Sequence, residues 1–272
     1  MEIAGVKISH ADKIIFPEQE ITKGEMVEYY EKISKHMLPH LKNRPLTLHR
    51  FPDGINEDSF HQKNVFDYFP DFVHRVEVPT ESGEKTQFYC DSLESLIYFA
   101  NQGTISFHTW LARKDRLNEP DKVVFDLDPP ENADFGKVKD AAKSIEKFLR
   151  KKGKKPQLMT TGKSGLHIWY PVQRVKTFDE RRDDIKVMAQ ELEKQYPNLL
   201  TTEVRIENRK EKIFLDYLRN AYGQTSVCPF SLRANTSAGI ATPIEWPELA
   251  TIESASHYHF YNIFRRLAHK HK

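Results

Sequence analysis

The sequence predicts an α+β fold. Short apolar strand patterns are interspersed with amphipathic helical ones, and 272 residues are enough to bury a core as one large domain or two lobes. No internal repeat, low-complexity segment or linker compels a cut, so residues 1–272 are expected to form a single domain. Charged residues are plentiful but nearly balanced, with a formal net charge of +2, so any nucleic-acid surface must be a local patch. Cys90 and Cys228 sit in no metal or redox motif and suit small core positions in a reducing compartment. The opening Met-Glu-Ile-Ala-Gly-Val-Lys lacks the pattern of a signal peptide, and no apolar run approaches membrane length. A soluble intracellular protein with no membrane partner is therefore expected.

Residues 123–130 organise the rest. Val123, Val124, Phe125 and Leu127 suit a buried strand, and Pro129 and Pro130 end it because proline cannot donate to a β-ladder. Asp126 and Asp128 lie two apart and share a face, with Cα atoms about 7 Å apart. Two carboxylates on one half-buried face repel, so either one takes a proton or a cation sits between them. At a strand end open to solvent, a hard divalent cation held by oxygens is the better solution. An exposed acidic turn and a mono-metal Asp-x-Asp phosphatase fit the same pattern.

In chain order, residues 1–20 read as a short strand and a turn. Thr22 and Glu25 form a capping box, and Met26, Tyr30, Ile33, Met37 and Leu41 recur at helical spacing. This predicts a helix to about Leu38, where Pro39 disrupts it. Lys13 and Lys23 flank its start, either as solvated surface lysines or as an anion site completed by helix N-terminal amides. Residues 45–50 alternate as a strand. Phe60, His61 and Lys63 then fall in a polar stretch, where an exposed aromatic beside cations suits base stacking and phosphate contact, although Phe60 could equally fill the core. Residues 88–90 suggest a strand, 92–100 a short helix ending at Gly103, and 105–110 a strand carrying His108, a lone histidine of the kind more often found satisfied in a core.

Beyond the double-Asp strand, Val138, Ala141, Ala142, Ile145, Phe148 and Leu149 define an amphipathic helix closed near Gly153. The lysines at 151, 152, 154 and 155 complement its dipole and face water. Residues 158–170 read as strand, tight glycine turn, strand. Thr161, Lys163, Ser164 and His167 converge there with backbone amides, an arrangement able to cradle a triphosphate but also that of an ordinary hairpin. Ile185, Met188, Leu192 and Tyr196 mark another helix, stopped by Pro197. A charged loop spans 205–212, and a strand over 212–220 places Asp216 on the face of Phe214 and Leu218. A carboxylate there needs a partner, either Arg219 or a metal shared with the other two carboxylates. From His257 an aromatic-rich helix with a basic tail closes the chain.

Three carboxylates able to hold two divalent ions, with a hydroxyl-lysine-histidine hairpin beside them, are the equipment of nucleotidyl transfer. The order Phe-Asp-Leu-Asp-Pro (125–129), Thr-Gly-Lys-Ser-Gly-Leu-His (161–167) and Phe-Leu-Asp-Tyr-Leu-Arg-Asn (214–220) resembles the archaeo-eukaryotic primase superfamily. More closely, it resembles the polymerase domain of bacterial DNA ligase D in non-homologous end joining. The likeness runs from Asp-Lys-Ile-Ile-Phe-Pro (12–17) through Gln-Thr-Ser-Val-Cys-Pro-Phe-Ser-Leu-Arg (224–233) to Ala-Thr-Pro-Ile-Glu-Trp (241–246). The resemblance implies a primase-polymerase fold, two β-sheets forming a cleft flanked by helices. It implies template-directed nucleotide addition at broken or gapped DNA ends, favouring ribonucleotides, with two Mn²⁺ or Mg²⁺ ions. By motif, Asp126, Asp128 and Asp216 bind the metals, and Thr161, Lys163, Ser164 and His167 bind the triphosphate. Arg50, Lys63, His108, Gln224 and Arg233 surround the incoming nucleotide. Lys13 and Lys23 grip a downstream 5′-phosphate, Phe60 and His61 stack on the template, and Arg209 lies in a loop that positions the primer terminus or brings two ends together. Ku and a separate ATP-dependent DNA ligase are the implied partners, and the implied location is the cytoplasm, at the nucleoid.

The chain departs from the family pattern at three places. His61 stands where relatives often carry a second aromatic, Thr161 where serine is common, and Lys163-Ser164 reverses the usual small-residue-then-lysine order. No ligase or nuclease segment is expected within these residues. The rival from another class is an inactive end-bridging module that binds 5′-phosphorylated ends without chemistry. Retention of three carboxylates beside DNA phosphates argues against it.

Overall fold

In a computed structural model, residues 1–131 and 133–269 are described, so the basic tail after His269 lies outside the described residues. The chain forms two compact units. The first comprises residues 1–117, 225–241 and 258–272, and the second residues 118–224 and 242–257. The fold is α+β, with mixed sheets flanked by helices.

The first unit opens with two small antiparallel ribbons, β1 (Glu2–Ile3) with β2 (Val6–Lys7) and β3 (Ile14–Phe16) with β4 (Ile21–Thr22). Helix α1 (Lys23–Leu41) follows, its start fixed by the expected Thr22–Glu25 capping box. It runs through Pro39 instead of ending there. The lost bond falls on the exposed turn of Lys35, while Met37 and Leu41 are fully buried and hold the last turn in place. Strands β5 (Leu46–Arg50), β6 (Phe60–Gln62) and the hairpin β7 (Arg75–Thr80) and β8 (Gly83–Phe88) come next. Helix α2 (Leu93–Asn101), capped by Ser92, packs with α1, and β9 (Thr104–Trp110) pairs with β5. Cys90 and Cys228 are both fully buried in this unit's core, the latter from the unit's second segment.

The second unit is built on β10 (Lys122–Asp128), α3 (Phe135–Lys151), the hairpin β11 (Gln157–Thr160) and β12 (Leu166–Pro171), α4 (Phe178–Gln195), β13 (Leu200–Thr201) and β14 (Ile213–Asp216). Thr177 and Glu180 start α4 with a second capping box, which hydrophobic spacing alone had not revealed. Strand β14 is shorter than the pattern suggested. The Asp216 carboxylate accepts the Leu218 amide at 2.8 Å, which turns the chain into a 3₁₀ turn at Leu218–Asn220 and leaves Leu218 37% exposed. Beyond Asp216 the side chain of Asn220 takes over the strand's role: its Nδ2 donates to Val124 O at 2.7 Å and its Oδ1 accepts from Val124 N at 2.9 Å.

The last part of the chain completes both sheets. Strand β15 (Thr225–Val227) adds to β9, giving the four-stranded order β15-β9-β5-β6. Strand β16 (Thr242–Ile244) adds to β11, giving the six-stranded order β13-β14-β10-β12-β11-β16. The terminal helix α5 covers only Ile263–His269. Residues 257–262 make turns, tied by the Asn262 side chain to the His259 amide at 2.8 Å, where a helix from His257 was expected.

Candidate active site

In an antiparallel sheet, residues in register lie on the same face. Asp126 of β10 is in register with Asp216 of β14 on one side and with His167 of β12 on the other, so three strands deliver two carboxylates and an imidazole to one spot. Asp128 shares the face of Asp126 at the strand end. One carboxylate oxygen from each of Asp126, Asp128 and Asp216 lies within 4.8 Å of the others. His167 Nε2 is 3.2 Å from Asp126 Oδ1. Arg219, on the 3₁₀ turn, places its Nε 3.1 Å from Asp126 Oδ2 and 3.2 Å from Asp216 Oδ2.

The electrostatics separate the three acids. Burial works against ionisation of Asp126, but His167 and Arg219 outweigh it and hold this carboxyl below its ordinary value. Burial and the charge of Asp126 push Asp128 up to about 6. Burial also raises Asp216, against the pull of Arg219. The donor set is carboxylate oxygen throughout, hard and anionic, and fits a hard divalent cation.

The hairpin beside this cluster is held from within. The Thr161 hydroxyl donates to Gly165 O at 2.9 Å and accepts the Gly165 amide at 3.2 Å. The Lys163 amide approaches the same hydroxyl at 3.4 Å. Thr161 is buried and shapes the turn, while Lys163 and Ser164 are exposed at its tip. Gly162 takes a φ of +71°, and a Cβ on Gly165 would lie 2.0 Å from Leu127 O. The hairpin therefore closes directly onto the strand between the two aspartates.

Arg209 bonds its own loop, to Glu203 O at 3.1 Å and Val204 O at 2.8 Å, and lies over the Phe214 ring at 3.9 Å. Gln224 is exposed at the end of this segment.

In the first unit, Arg50 is buried and clamped by Gln62 and Gln102, with its guanidinium 5.0 Å from the centroid of Phe60. Phe60 is 45% exposed and so is not a core residue. His61 stacks on His49 at 4.1 Å and meets His108 edge-on at 6.5 Å. Lys63 is exposed and Arg233 half-buried. Lys23 is not a solvated surface lysine: it is buried, with Nζ donating to Ser9 O at 2.6 Å and to Ser9 Oγ at 3.0 Å. Burial, then the nearby charges of Lys13 and Arg50, lower its pKa to about 8. Lys13 pairs with Asp53 at 2.6 Å. The amides at the start of α1 do not complete an anion site, because Lys23 N and Gly24 N already donate to Lys13 O and Ala11 O.

The profile of the family described as "LigD, primase-polymerase domain" matches residues 22–272. The chain belongs to this family. It is 34% identical over 245 residues to the Bifunctional non-homologous end joining protein LigD of Bacillus subtilis, covering 90% of this chain and 39% of that protein. It is 30% identical over 264 residues to the Multifunctional non-homologous end joining protein LigD of Pseudomonas aeruginosa, covering 97% of this chain and 31% of that one. The chain thus spans about a third of the length of these curated relatives. Among solved structures, "Polymerase Domain from Mycobacterium tuberculosis Ligase D in complex with DNA" superposes with a TM-score of 0.90 at 27% identity, covering 97% of this chain and 94% of that one.

Three residues of this LigD primase-polymerase site do more than the motifs indicate. Arg219 was one of two alternatives for Asp216, yet it bridges Asp216 and Asp126 together. Asn220 closes the β10 ladder, and Gly165 permits the hairpin's close approach. A polar Arg-Asn pair straight after a buried strand was the available signal for the first two. Nothing in the sequence marked which glycine touches backbone.

Proposed function

We propose that this chain is a metal-dependent, template-directed nucleotidyltransferase that extends DNA ends and fills gaps in non-homologous end joining. The observation that carries the reading is the convergence of Asp126, Asp128 and Asp216 within 4.8 Å, with His167 beside them. The names of the relatives, which place them in end joining, and the DNA-bound polymerase domain it superposes on support the same reading.

The three aspartates would hold two ions, Mn²⁺ or Mg²⁺. When bound, such ions lower the pKa of an attacking 3′-hydroxyl and neutralise a triphosphate and its leaving pyrophosphate. The chain's own residues position the reactants. Arg219 and His167 fix the orientation of the Asp126 carboxylate, and the hairpin tip offers Lys163 and Ser164 to phosphate oxygens, with Thr161 holding the tip in shape. Residues 1–272 act as one primase-polymerase domain. Arg50, Lys63, His108, Gln224 and Arg233 serve the incoming nucleotide, ribonucleotides being preferred. Phe60 and His61 serve the template, Arg209 the primer terminus, and Lys13 with Lys23 a downstream 5′-phosphate. Ku and a separate ATP-dependent ligase are the partners, and a DNA-end substrate fits a location in the cytoplasm at the nucleoid.

The test is primer extension on gapped DNA with and without a downstream 5′-phosphate, in Mn²⁺, comparing ribo- with deoxynucleotides and running Asp126→Ala in parallel. Extension that follows the template, improves with the phosphate and vanishes in the variant is expected. Tight phosphate-dependent binding without extension under either metal would overturn catalysis and leave an end-bridging module.

A further inference from the structure

Lys154 and Lys155, the end of the lysine run that the sequence assigns to a solvated face, line a cavity of about 530 Å³ within the second unit, inside the range of about 300–1,000 Å³ typical of small-molecule sites. Two loops form it. Lys154 and Lys155 come from the α3–β11 connection, and Val175, Lys176 and Arg181 from the segment leading from β12 into α4. No carboxylate is among its lining residues, four of which are cations. Asp184 pairs with Lys176 at 2.8 Å and lies 3.7 Å from Arg181, so it offsets only part of this charge. Among the described residues no carboxylate pairs with Lys154 or Lys155, whereas the neighbouring Lys152 pairs with Glu191 at 2.8 Å.

Two details make this more than a basic surface. Arg181 is 14% exposed, and its Nε is buried without a hydrogen-bond partner while Nη2 donates to Gln173 O at 2.7 Å. A buried donor left unpaired is unfavourable, so the guanidinium that lines this cavity is short of one partner. Val175, 73% exposed, and Pro171 give the cavity an apolar wall beside the cations.

The location separates this cavity from the aspartates. Tyr170, which lines it, is three residues beyond His167 on β12, so it lies about 10 Å further along the strand and points to the opposite face. Its hydroxyl approaches Met188 of α4 at 3.7 Å.

We infer that this cavity binds an oligophosphate, a chain of linked phosphates with or without an attached nucleoside, at a site distinct from the carboxylate cluster. The same chemistry is presented by free polyphosphates and nucleotides and by the backbone of a nucleic-acid strand.

The test is titration of the full chain with tripolyphosphate in excess EDTA, which removes metal-dependent triphosphate binding at the aspartates. Saturable binding is expected, weakened at least tenfold by Lys154→Glu with Lys155→Glu and unchanged by Lys35→Glu, an exposed lysine of α1. Amide shifts should concentrate at residues 153–155 and 170–176. Circular dichroism checks that the double variant is folded, and Lys155→Glu alone, on an exposed side chain, gives a milder substitution with the same sign. An unphosphorylated single-stranded oligonucleotide that displaces tripolyphosphate assigns the site to backbone phosphates, and one that does not assigns it to free oligophosphates. Binding that the lysine substitutions leave unchanged, or no binding at all, overturns the inference.

Discussion

Asp128 is the acid of the cluster with the weakest protein support. Asp126 is tied to His167 and Arg219, and Asp216 to Arg219 and the Leu218 amide, but no hydrogen-bond donor among the described residues reaches Asp128. With its pKa pushed up to about 6, it holds a proton more tightly folded than unfolded, where about 3.9 applies. Its ionised form therefore opposes folding above pH 6 in metal-free protein. Asp128→Asn should stabilise that form at pH 7.5 by about 1–2 kcal/mol, after allowance for its partial exposure. The gain should fade as pH drops from 6 to 4, and extension should be lost. Thermal melts in EDTA across that range check this, and a variant no more stable than the parent would contradict it. Arg219→Met has the opposite sign. It leaves two buried carboxylates without their shared cation, and because Arg219 is 39% exposed the loss should be about 1–2 kcal/mol. Mn²⁺ should then raise the melting temperature more in the variant than in the parent. Gly165→Ala drives a methyl into the Leu127 carbonyl, and overpacking against backbone should cost about 2–3 kcal/mol along with extension activity.

Helix α1 shows how an element departs from its sequence signals. The capping box was legible, because two side chains three residues apart suffice to define it. The continuation through Pro39 was not, because it depends on the burial of Met37 and Leu41 by distant segments. At the helix start, the burial of Lys23 was invisible for the same reason: its partners belong to Ser9, fourteen residues earlier. That burial has a pH signature. In the 5′-phosphate role proposed above, Lys23 would bind a phosphate dianion in its protonated form, so with a pKa of about 8 in the unliganded protein, phosphate-dependent affinity should fall about tenfold between pH 7 and pH 9. Anisotropy titrations comparing duplex ends with 5′-phosphate and 5′-hydroxyl isolate this component. A phosphate increment that stays constant over that range would exclude Lys23 from the site.

Across the whole molecule, the sequence was most readable where chemistry demanded a fixed residue at a fixed spacing. The double-Asp strand, the glycine hairpin and the third aspartate all lie on the elements expected of them, because strand period and turn chemistry are local rules. What it withheld was long-range pairing: the register of Asp126 with Asp216, ninety residues apart, and the splitting of the chain's last segments between two sheets. That splitting bears on how the protein is made. The first unit takes β15 and the second β16, so one sheet is incomplete until Val227, and the other until Ile244, has left the ribosome. At about 5–20 residues per second, β9 waits several seconds for its neighbour with one edge unpaired. Nascent chains stalled before Thr225 should therefore be protease-sensitive and readily bound by chaperones, and release of the full chain should confer resistance to both units together.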